Sequence, residues 1–188
     1  GPMRRLTSLL FVLLGFAGMF TAGAAEAAPY FAPTGSMTVA RSAPASAPLP
    51  NGGALVAGGI SGGGIVNTAE VFNPASGTFS STGSMVDSRV SAAASQLPDG
   101  KILVAGGVGD VPFPQSGYLA QTEIYDPSTE SFSAYTPMPE PRARMAAASL
   151  ADGRVMLFGG DGVGGVDLDS TVILDPATGV WSAGPSMP

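Results

Sequence analysis

Three arginines recur along the chain in one setting. Arg41, Arg89 and Arg142 each follow a methionine by four residues (Met37, Met85, Met138) and precede a glycine pair by seventeen (Gly58-Gly59, Gly106-Gly107, Gly159-Gly160). A guanidinium presents a fork of N–H donors that matches a carboxylate, so three at equivalent positions could hold an acidic ligand. The same regularity allows another reading, in which each arginine fastens its repeat to nearby carboxylates or carbonyls. Asp161, Asp167 and Asp169 crowd a Gly-rich stretch that reads either as a cation loop or as a solvated connection between strands. Glu70 and Glu123 open equivalent apolar segments and are expected to pair locally. Glu140 and Arg144 give Arg142 surroundings unlike those of the other two arginines.

The chain contains no His and no Cys. Nucleophilic triads built on His, imidazole acid–base chemistry and the common zinc and copper ligand sets are therefore excluded. No catalytic residue, metal site or cofactor is expected. A net charge of −6 with few lysines argues against binding to a phosphate backbone, so no nucleic-acid partner is expected. Without cysteines no disulfide can help, and the fold must hold by packing alone.

The elements that carry these residues repeat as well. Segments rich in Ala and Ser (42–49, 90–97, 145–150) turn at Asn/Asp-Gly into the apolar runs 54–57, 101–105 and 154–158, the pattern of a hairpin whose second strand is buried on both faces. A third strand (68–72, 122–125, 171–174) ends at Asn73-Pro74, Asp126-Pro127 or Asp175-Pro176. Here the Asn or Asp is expected to hydrogen-bond its own backbone. A fourth strand then carries Phe79, Phe132 or Trp181. From Met37 through Met187 the methionines are 48, 53 and 49 residues apart, and the length variation falls after the glycine pair. The loop 109–117 holds Pro112-Phe113-Pro114, read as a stiffened insertion or a rim contact.

A period near fifty with insertions in one loop marks the blade of a propeller. The pattern resembles the kelch repeat, particularly its bacterial, galactose-oxidase-propeller-like form, over residues 31–188. The resemblance implies an all-β fold of three four-stranded antiparallel blades, forming a partial ring or half of a six-bladed one. It places the small-residue strands nearest the axis and the three arginines at one mouth of the axial channel. The copper centre of galactose oxidase cannot be built without His or Cys.

The expected organisation is a tag remnant at 1–2, a signal peptide or membrane anchor at 3–28, an extra N-terminal strand at 29–37, and blades at 38–85, 86–138 and 139–188. The leader implies export to the periplasm or the extracellular space, with membrane contact only through an uncleaved leader. Three blades do not close. The expected partner is a second copy completing a six-bladed ring, or the remaining blades of a longer chain, with a protein or acidic glycan as ligand. The resemblance implies an exported binding or scaffold module, or alternatively a periplasmic sugar-active enzyme of the sialic-acid mutarotase type.

Overall fold

The computed structural model describes residues 33–110 and 117–188. The tag remnant, the leader and Pro112-Phe113-Pro114 lie outside the described residues. Among the described residues there is no helix, and so none long and apolar enough to cross a membrane.

Fourteen strands follow in order: β1 (Ala45–Pro48), β2 (Ala54–Ala57), β3 (Ile60–Ser61), β4 (Gly64–Ile65), β5 (Ala69–Asn73), β6 (Thr78–Ser81), β7 (Ala93–Gln96), β8 (Ile102–Ala105), β9 (Thr122–Asp126), β10 (Ser131–Tyr135), β11 (Ala146–Ser149), β12 (Val155–Phe158), β13 (Thr171–Asp175) and β14 (Val180–Ala183). They form three antiparallel four-stranded sheets, β1-β2-β5-β6, β7-β8-β9-β10 and β11-β12-β13-β14, plus the two-stranded ribbon β3-β4 inside the first insertion. Each sheet is a meander whose strands pair in chain order, the ribbon β3-β4 looping out between β2 and β5, so one blade needs no long crossover.

The first strands of blades one and two begin later than the sequence pattern suggests, for a local reason that blade three shares. Ala43, Ser91 and Arg144 all take left-handed backbone conformations (φ 48, 57 and 57°) just before β1, β7 and β11, which breaks strand geometry there. The β1–β2 turn is a three-residue loop ending in Gly52, with the Gly52 amide donating to the Leu49 carbonyl. Gly100 and Gly153 repeat it at φ 85 and 89°.

Strands β1, β7 and β11 lie side by side, where Ala and Ser let the sheets converge, and the Ser95 and Ser149 hydroxyls meet at 2.9 Å. Two apolar cores fill the seams. Leu55, Ala57 and Met85 pack with Ile102, Val104, Tyr125 and Phe132 between blades one and two. Leu103, Ile124 and Met138 pack with Val155, Leu157, Val172, Leu174 and Trp181 between blades two and three. Alternate side chains of β8 thus enter opposite seams, and all four are buried. In β2 only alternate residues are buried, because among the described residues no blade covers its other face. The ring is not closed.

Of the extra strand expected at 29–37, Pro33–Met37 are described and carry no strand pairing. The Gly35 amide donates to the Gly77 carbonyl at 2.8 Å, the same contact that Gly83 makes to Glu130 at 3.0 Å from blade one to blade two. This segment therefore sits on blade one as the end of a preceding blade would.

Candidate functional site

Each repeated arginine reaches into its own blade. Arg41 Nη1 donates to the Gly58 and Thr68 carbonyls at 2.9 and 2.8 Å, and Nη2 to Glu70 Oε1 at 2.9 Å. Arg89 repeats this with Gly106 and Gln121, both at 2.9 Å, and with Glu123 at 2.7 Å. Arg142 binds the Gly159 and Ser170 carbonyls at 3.3 and 3.2 Å, the Ser170 hydroxyl, and Glu140. All three side chains are 0% exposed. The backbone of the same residues holds the preceding blade: the Arg89 carbonyl accepts from Gly59 and the Arg142 carbonyl from Gly107, at 2.8 and 2.9 Å. One residue thereby couples two blades, with its main chain in one and its guanidinium in the next.

The glycine pairs make room for this. A Cβ on Gly58 or Gly106 would lie 2.3 Å from the Arg89 or Arg142 carbonyl oxygen, and one on Gly159 would strike the Met187 methyl at 2.7 Å. A Cβ on the second glycines, Gly59, Gly107 and Gly160, would lie 2.6, 2.7 and 2.3 Å from the carbonyl oxygens of Ser42, Val90 and Ala143. The aromatics divide by blade. Phe79 pairs with Phe72 at 5.0 Å on the face of blade one away from blade two, whereas Phe132 pairs with Tyr125 at 4.8 Å inside the first seam. Trp181 donates from Nε1 to the Thr136 carbonyl across the second seam at 3.0 Å.

Glu70 and Glu123 complete the first two arginine sites. Glu70 accepts from the Thr38 and Val39 amides, and Glu123 from those of Val86 and Asp87. Burial pushes the Glu70 carboxyl upward, but the Thr38 amide, Arg41 and the Thr38 hydroxyl outweigh it and hold the group at about 2. Blade three changes both halves of the arrangement. Pro139, which has no N–H, stands where Thr38 and Val86 donate, and Val172 stands where Glu70 and Glu123 accept. Arg142 takes its carboxylate from Glu140 instead, whose side chain is 46% exposed.

Beside the second seam lies a cluster that does not repeat. Tyr118 Oη donates to Asp161 Oδ2 at 2.6 Å, and Arg144 Nη1 donates to the same oxygen. Tyr118 comes from the long insertion of blade two, where it bridges Val108. Asp161 bridges Ala143 and Asp167 at the start of the blade-three insertion. The Arg144 side chain is 60% exposed, although its neighbour Asp161 is only 10% exposed. The Asp161 hydrogen bond raises the Tyr118 phenol above its ordinary value, so the phenol is protonated near neutral pH and donates to Asp161. Asp161 is thus a structural anchor within the stretch read as a solvated connection, while Asp167 and Asp169 are exposed. Among the described residues no group of three carboxylates is placed to hold a metal ion.

The sequence pattern did not single out Tyr118, which has no counterpart in the other repeats. Arg144 was visible only as a neighbour of Arg142. The feature that distinguishes it is its position: Ala43, Ser91 and Arg144 form a stair of backbone bonds, from the Ser91 amide to the Ala43 carbonyl at 3.0 Å and from the Arg144 amide to the Ser91 carbonyl at 2.9 Å.

The model of the Kelch motif matches residues 89–139 and 142–188, just over half of the chain and nearly all of blades two and three. The chain belongs to the kelch-repeat family. Blade one lies outside the matched residues but shares the sheet order, the glycine pair and the arginine geometry of its kelch neighbours. No curated protein matches the chain. Kelch repeats point to an interaction or scaffold module.

Proposed function

We propose that this kelch module binds a carboxylate-bearing protein or glycan through Arg144, with Asp161 and Tyr118 fixing the guanidinium. The carrying observation is the contrast in exposure. The three repeated arginines are enclosed and occupied within the blades, whereas Arg144 keeps 60% of its side chain in solvent while one of its donors is anchored to Asp161. An anchored guanidinium loses less freedom on binding and retains free donors for a ligand carboxylate. The leader expected at 3–28 supports export to the periplasm or the extracellular space.

Titration calorimetry with N-acetylneuraminate, against a neutral hexose as control, tests the reading. Heat of binding should appear for the acidic sugar alone and vanish in Arg144→Ala, with thermal stability near that of the parent. Equal behaviour of the two sugars, or binding retained in Arg144→Ala, would exclude it. The Tyr118–Asp161 hydrogen bond also favours a second reading, proton exchange on a bound sugar. That reading requires faster interconversion of the sugar anomers, observable by NMR.

The two ends of the blade stack support association with a second copy, the partner we propose. Among the described residues the Gly160 amide lacks the interblade bond that Gly59 and Gly107 make, and the Ala43 amide lacks the one that Ser91 and Arg144 make. The arginine and stair carbonyls that would accept these bonds stand at the opposite ends, on Arg41 and Arg144. Because residues 33–37 already sit on blade one where the end of a preceding blade would, they must move aside when another blade docks there.

A further inference from the structure

The second seam opens at its turn end into a groove of about 510 Å³, within the size range of small-molecule sites. Two exchanges between the repeats account for it. In the first seam the Tyr125 hydroxyl reaches the Thr82 hydroxyl at 2.7 Å and spans the gap. In blade three Leu174 stands at the position of Tyr125 and has no such reach. Tyr135 stands where Thr82 does, its hydroxyl 3.4 Å from the Pro176 carbonyl at the groove's edge.

Leu97, Ile124 and Tyr135 give the groove its apolar surface, and Asp99, Asp152 and Asp175 line it from the turns. Its charge is not balanced. Lys101 lies 3.7 Å from Asp99 and 3.5 Å from Asp126, and Arg154 lies 2.7 Å from Asp152. Three carboxylates thus share two cations, and a fourth, Asp175, has no ion-pair partner among the described residues. An apolar slot with surplus negative charge at its rim fits a cation carried on an apolar body, and the face of Tyr135 adds to that preference.

We propose that the seam between blades two and three is a binding site for a small organic cation, a protonated amine on a compact aromatic or aliphatic body. This site is independent of Arg144, which belongs to the other end of the seam. The test is suggested by the molecule itself: blade one carries Asn51 and Asn73 at the positions of Asp152 and Asp175, each capping its turn through the same side-chain oxygen (to Gly53 and Ala75, both at 2.9 Å). The double variant Asp152→Asn/Asp175→Asn therefore keeps a turn chemistry that the fold already uses while removing two charges.

NMR titration with phenethylammonium, with the neutral 2-phenylethanol and the anionic 3-phenylpropanoate as controls, should shift the Ile124 methyl and Tyr135 ring signals for the ammonium alone. The double variant should bind about tenfold more weakly with its spectrum otherwise unchanged, and Arg144→Ala should bind like the parent. Equal shifts by the neutral alcohol, undiminished binding by the double variant, or no shift at about millimolar ammonium would each overturn the proposal. None of these results bears on acidic-sugar binding at Arg144.

Discussion

Arg89 and Glu123 meet at 2.7 Å with 0% and 1% of their side chains exposed, so neither charge can turn to water if the other is removed. Arg142 differs, because it has no buried carboxylate partner: Glu140 stands half in solvent, as does Asp87, the second partner of Arg89. Arg89→Ala should lower stability by about 3–5 kcal/mol, the usual cost of stranding a buried charge, and Arg142→Ala by about 1–3 kcal/mol. Urea melts of both variants check the order. A loss from Arg142→Ala equal to or larger than that from Arg89→Ala would contradict the role assigned to Glu123.

The acid limb of stability should carry the signature of Glu70. Its folded-state carboxyl is held at about 2, below the value of about 4.3 for an unfolded glutamate. Its contribution is then fully present above the unfolded value and is lost as pH falls through the interval down to about 2. Stability followed by denaturant melts should decline over that window in the parent. Glu70→Gln should be less stable at neutral pH and should decline less steeply.

Glu130 takes a left-handed conformation (φ 53°) at a turn position filled by Gly77 and Gly179 in the other repeats. Its side chain is exposed, and its carbonyl alone makes the seam contact, to Gly83. Glu130→Gly should raise stability by about 1 kcal/mol, because glycine adopts this conformation without steric cost. A differential scan showing a lower melting temperature would count against this reading of the turn.

The uncovered blade ends should drive association in solution. Light scattering across a concentration series should show mass rising toward a dimer, and removal of residues 33–37 should strengthen that trend by clearing the edge of blade one on which they sit. A monomer at all concentrations, unaffected by the deletion, would dismiss the second copy as partner.

The repeat was legible in the sequence because its determinants are steric and local. A glycine pair facing a carbonyl, an Asn or Asp capping its own turn and an arginine at fixed spacing recur wherever the same backbone does. The left-handed positions were hidden, since Ala43, Ser91 and Arg144 share no residue type that would mark them. The Tyr118–Asp161 contact was hidden for a different reason. It joins residues 43 apart across a seam, from two insertions whose length and residues follow no repeat pattern. The groove beside Tyr135 was equally invisible, because it follows from a leucine failing to reach where a tyrosine does.

The stair from Arg144 through Ser91 to Ala43 uses main-chain groups only, and those are present whatever side chain a position carries. Joints of this kind make the blades interchangeable parts. A duplication or deletion of one whole unit in the gene preserves every bond along the stair, while a cut inside a unit severs them. Evolution can therefore vary the number of blades and the chemistry of their loops separately, with the joints left untouched.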